Sequence, residues 1–74
     1  MDREQELAHL GKAEQDIADA YRHIEHQRRL ITDLRDGGHP TDMAEKLLDS
    51  MLMDLQAKQS HRSIILEILG LAPR

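Results

Sequence analysis

From Leu10 onward, apolar or small residues recur at steps of three and four through Ala13, Ile17, Ala20, Ile24, Gln27, Ile31 and Leu34. That spacing is the period of a helix face, not the alternation of a strand. Leu10, Ile17, Ile24 and Ile31 stand seven apart with Ala13 and Ala20 between them, a packing ridge that lets a partner backbone approach closely. Leu7, Tyr21 and Leu30 widen it, and Asp2, Glu4 and Glu6 suit the positive end of a helix starting near residue 2. This first end is expected to fray. The strong breaker lies at Gly37-Gly38-His39-Pro40-Thr41. Paired glycines supply the backbone angle that ends a helix, Pro40 cannot continue one, and the Thr41 hydroxyl is placed to accept from the free amides of the next.

Beyond the turn, apolar residues fall into two blocks, Met43 to Leu55 and Ile64 to Leu69, around a polar waist from Gln56 to Ser63 whose one apolar member is Ala57. Gly70 as a left-handed residue, Leu71 folding back and Pro73 beyond it mark the end. The prediction is all-α: one domain over 1–74, helix one at about 2–36, a turn at 37–41, helix two at about 42–69, paired as an antiparallel two-helix hairpin. With the turn near residue 38, positions summing to about 77 lie opposite. Arg28 then faces Asp49 and Arg35 faces Asp42. In the waist, Asp16 and Asp19 face Lys58, His61 and Arg62, while Ile17 and Ala20 meet Ala57 and Ser60.

Fourteen of the twenty-seven residues from Met43 to Leu69 are apolar, whereas a seam facing one partner helix uses about two per heptad, near eight. About six are surplus. A 74-residue chain without cysteine has neither disulfide nor thiolate zinc to supplement a small core. Oligomerisation or unusually regular helix packing is left as the staple, and the apolar surplus favours oligomerisation. Two hairpins are therefore expected to form a homodimeric four-helix bundle, with Leu47, Leu48, Met51, Leu52, Leu55, Ile65 and Leu69 as the dimer or partner interface.

Composition changes the picture in a few respects. Net charge is −4, from ten Lys and Arg against fourteen Asp and Glu, which weighs against a phosphate backbone as partner. The basic patch available for one is Arg22, Arg28 and Arg29 with His23 and His26, and Tyr21 is the sole aromatic for base stacking. The start lacks the basic-then-apolar pattern of a signal peptide, and no run approaches the roughly 20 apolar residues of a membrane span. A cytoplasmic protein without membrane contact is the expectation.

Five histidines invite a metal reading, and Glu6-x-x-His9 matches one unit of the carboxylate-bridged di-iron bundles. The counterpart on helix two is Lys58-x-x-His61, with an ammonium where a carboxylate is required. His23 and His26 share a face but have no third ligand. Ser60, His61 and Asp16 supply the residue types of a nucleophilic triad, yet neighbours on a helix point about 100° apart. No catalytic residue, metal or cofactor is assigned.

Tyr21-Arg22-His23-Ile24, Gln27-Arg28-Arg29-Leu30-Ile31, Gly38-His39-Pro40-Thr41, Leu47-Leu48 and His61-Arg62-Ser63-Ile64-Ile65-Leu66 together resemble a group of short, uncharacterised alphaproteobacterial proteins. The resemblance spans about residues 20 to 69. It implies the hairpin and a bacterial cytosol, and carries no activity. The expected function is non-enzymatic: a dimeric hairpin acting as an adaptor or small chaperone toward another protein. An RNA-binding hairpin dimer of the ROP kind is the alternative.

Overall fold

The computed structural model describes residues 2–71, as two helices, α1 (Arg3–Asp36) and α2 (Asp42–Leu69), packed side by side. No strand occurs among the described residues. The 34 residues of α1 account for the length of a rod measuring 54 × 18 × 18 Å, since a helix rises about 1.5 Å per residue. Pro73, expected to stop α2, lies outside the described residues.

Each helix presents a row that advances by alternating threes and fours, the signature of a two-helix coil. On α1 it is the predicted ridge: Ala13, Ala20, Ile24, Gln27 and Ile31 are buried, with Leu10, Ile17 and Leu34 half-buried. On α2 the row runs through Ala44, Leu48, Met51, Leu55, Lys58, Arg62, Ile65 and Leu69, all buried or half-buried. Small faces large across it. Ala13 packs with Ile65 and Leu69 beside Leu10, and Ala20 packs with Ile24 and Leu55 beside Ile17, Leu48 and Met51. Burial of a side chain such as Ile65, 3% exposed, is worth about 1.5 to 3 kcal/mol.

The waist differs from expectation. The repeat continuing from Leu55 brings Lys58 and Arg62 to the inner row and leaves Ala57 and Ser60 outside, so Ala20 packs in a cluster with Leu55 instead, and Ile17 lies against that cluster. The two cations fit there because their alkyl stems lie along the seam while their heads reach its edge. Lys58 pairs with Asp54, and Arg62 with Glu14 at 3.5 Å.

Both helices close with the same device. His39 N donates to Leu34 O and Gly38 N to Arg35 O; Leu71 N donates to Leu66 O and Gly70 N to Glu67 O. Each is a Schellman motif whose left-handed residue is a glycine, Gly38 at φ 75° and Gly70 at φ 72°. Gly37 is helical at φ −81°. Thr41 does stand at the N-cap, but its hydroxyl caps nothing. Its ψ of 0° departs from the extended value that aims an N-cap side chain at the free amides, and only its carbonyl is used, by Glu45 N at 2.9 Å.

The end away from the turn is tied down. The Asp2 carboxylate accepts from Glu4 N at 3.0 Å, and the Arg3 guanidinium donates to Leu69 O at 3.1 Å. The last turn of α2 has no basic residue of its own, so α1 supplies the cation that its negative end favours.

Candidate interaction surface

Of the seven residues predicted to face a partner, Leu55, Ile65 and Leu69 are buried within the hairpin, and Leu48 and Met51 are half-buried against its core. Leu47 and Leu52 remain exposed. The apolar surface of α2 is completed by four residues that the sequence reading left out: Met43 (77% exposed), Met53 (71%), Ile64 and Ile68. Six large apolar side chains thus project from α2, close to the predicted surplus, but most of them are different residues. The signal that distinguishes them is a three-four row on α2 like that of α1, from Ala44 to Leu69.

The hairpin has two unlike flanks. On one, residues that follow the inner row of α2 by one position reach α1: Glu45 accepts from Arg35 at 3.1 Å, and Gln59 donates to the Tyr21 hydroxyl at 3.0 Å. Arg62 and Glu14 meet beside them. On the other flank lie residues that precede the inner rows by one position. A shallow groove there is lined by Asp16, Asp19 and His23 from α1 and by Met51, Asp54 and Lys58 from α2. No hydrogen bond or ion pair crosses between the helices on this side among the described residues.

Charges are spent mostly within each helix. Asp16 pairs with Lys12 at 3.1 Å, and Asp19 takes both Arg22 and Gln15. The expected links of Asp16 and Asp19 to Lys58, His61 and Arg62 are therefore replaced by contacts three or four residues along the same helix, where side chains are nearest neighbours. Arg35 pairs with Glu45 instead of Asp42, one turn further along α2, and Arg28 makes no ion pair with Asp49.

The basic patch is partly neutralised. Arg22 is held by Asp19 and Arg29 by Glu25 at 3.3 Å. Arg28, on a different side of α1, has no ion-pair partner among the described residues. Chemistry finds no assembled centre. His9 sits 3.6 Å from Glu6, Ser60 and His61 are both exposed, and among the described residues no three His, Asp or Glu side chains converge on a metal position. Among those residues no helix is long and apolar enough to cross a membrane.

No protein-family model matches the chain, and neither the curated proteins nor the solved structures contain a significant match to it.

Proposed function

We propose that the hairpin is a non-enzymatic interaction module of a bacterial cytosol, two copies of which associate into a four-helix bundle that serves another protein as adaptor or small chaperone. The observation that carries this reading is surface. The chain exposes 5709 Å², whereas a compact 8.5 kDa monomer would expose about 4,700 Å². The excess, about 1,000 Å², is comparable to the roughly 800 Å² that each partner contributes to a standard protein interface. Among the described residues ten large hydrophobic side chains are exposed, and no side chain is more than 98% buried.

Sedimentation equilibrium from one to a hundred micromolar, paired with thermal melts over the same range, tests the association. A dimer is expected, with a melting temperature that rises with concentration because folding and association are linked by mass action. A monomer throughout, melting at one temperature, would refute the homodimer.

A further inference from the structure

α2 carries a second row with the spacing of its first. Each member precedes an inner-row residue by one position and so lies about 100° around the helix. In the half nearer the turn the members are Met43, Leu47, Ser50 and Asp54. In the other half they are Ala57, His61, Ile64 and Ile68. All eight are exposed. A helix with two such rows has the pattern of a bundle helix with two neighbours, and α1 occupies only one.

The row is self-complementary. Its steps of four and three read the same from either end, with an apolar pair at each end and polar or small residues between. Laid antiparallel on the same row of a second copy, Met43 meets Ile68, Leu47 meets Ile64, Ser50 meets His61 and Asp54 meets Ala57. Apolar meets apolar, and no residue of the row meets its own copy.

The row of α1 on the same flank is of different character. It runs through His9, Lys12, Asp16, Asp19, His23, His26, Leu30 and Asp33, with Leu30 as its one large apolar member. Two hairpins stacked through this flank have two symmetric choices. A two-fold axis along the rod places α2 on the α1 of the second copy, which sets Ile64 and Ile68 against Lys12 and His9. A two-fold axis across the rod places α2 on α2 and α1 on α1. It also sets Lys12 opposite Asp33, a pair of opposite sign, and brings His23 beside its own copy on the axis. The level halfway between Lys12 and Asp33 on α1 lies alongside the centre of the α2 row, as the cross-helix pairs Tyr21 with Gln59 and Glu14 with Arg62 establish.

We infer that the occupant of the open flank is a second copy of this chain, bound antiparallel about a two-fold axis that crosses the rod between Leu55 and Gln56, with Leu47 against Ile64 of the other copy. This orientation rests on the homodimer proposed above.

Because the chain has no cysteine, single-cysteine variants read the orientation without background. Leu47→Cys chains are unfolded and refolded together with Ile64→Cys chains, and separately with Leu30→Cys chains; each mixture is oxidised, and disulfide-linked dimers containing both variants are identified by mass. The antiparallel arrangement predicts a mixed disulfide between Leu47→Cys and Ile64→Cys chains and none with Leu30→Cys. Leu47→Cys chains alone should not cross-link, since the two copies of that position lie about 25 Å apart along the axis, beyond disulfide reach. A mixed disulfide with Leu30→Cys in place of Ile64→Cys would overturn the orientation and leave the homodimer standing. A dimer in sedimentation that gives neither disulfide would overturn the use of this flank. Monomeric wild-type protein would overturn the homodimer and the orientation together.

Discussion

The side-chain amide of Gln27 donates to the backbone carbonyl of Ala44 at 2.9 Å, across the hairpin and within its seam. Gln27 is 6% exposed, the only buried polar side chain among the described residues, and it occupies a position that would otherwise take an aliphatic residue. A polar group at one inner position of a two-helix coil is satisfied in one register alone, so it selects that register at some cost in stability.

Gln27→Ala is expected to lower stability by about 1 to 3 kcal/mol, through the lost hydrogen bond and the space left at a buried site. Gln27→Leu should unfold no more easily than wild type but sample more than one register, seen in heteronuclear NMR as doubled amide signals for the α2 residues near Ala44. A single sharp set of signals from Gln27→Leu would show that apolar packing alone specifies the register.

At the turn, the two glycines are not equivalent. Gly38 is left-handed and Gly37 is not, so Gly38→Val should cost at least about 1 to 2 kcal/mol. Gly37→Ala should be close to neutral: its Cβ would meet the Cδ2 of His39 at 2.9 Å, but that imidazole is the free end of an exposed side chain and can swing aside. Thr41→Ala should cost less than about 0.5 kcal/mol, because the hydroxyl makes no cap to lose. Urea denaturation of the three variants checks the order Gly38→Val, then Thr41→Ala, then Gly37→Ala.

Lys58 and Arg62 interrupt an otherwise largely apolar inner row. Replacing both by Leu should join the two apolar blocks into one seam and raise stability by about 1 kcal/mol per site, since each position is already half-buried. The partners released, Asp54 and Glu14, are exposed and remain solvated. A lower melting temperature for the double variant would mean that the ion pairs at the seam edge contribute more than the apolar contact replacing them.

Because Arg22 and Arg29 are occupied by carboxylates on their own helix and the chain is acidic overall, duplex RNA is expected to show no mobility shift at micromolar protein in 0.15 M salt. An RNA complex lost in the Arg22, Arg28 and Arg29 triple alanine variant, and weakening steeply with salt, would establish the ROP-like alternative.

Local patterns carried much of the architecture. The breaker at Gly37 and Gly38, the helix end at Gly70 and the three-four spacing of α1 each depend on residues within a turn of one another, so their physics is legible along the chain. The excess of apolar residues on α2 could likewise be counted before anything was folded. Which of them turn outward could not, because in the densely apolar blocks of α2 more than one three-four row can be traced, and the choice between them is made by the register against α1. That register, pinned by Gln27 on Ala44 and by small residues facing large ones, sends Leu55, Ile65 and Leu69 inward and Met43, Leu47, Ile64 and Ile68 outward. The ion pairs depart from simple opposition across the hairpin for a related reason: Asp16, Asp19 and Lys58 take partners three or four residues away on their own helix, where closing the contact orders less chain, while Arg35 and Arg62 reach across to Glu45 and Glu14.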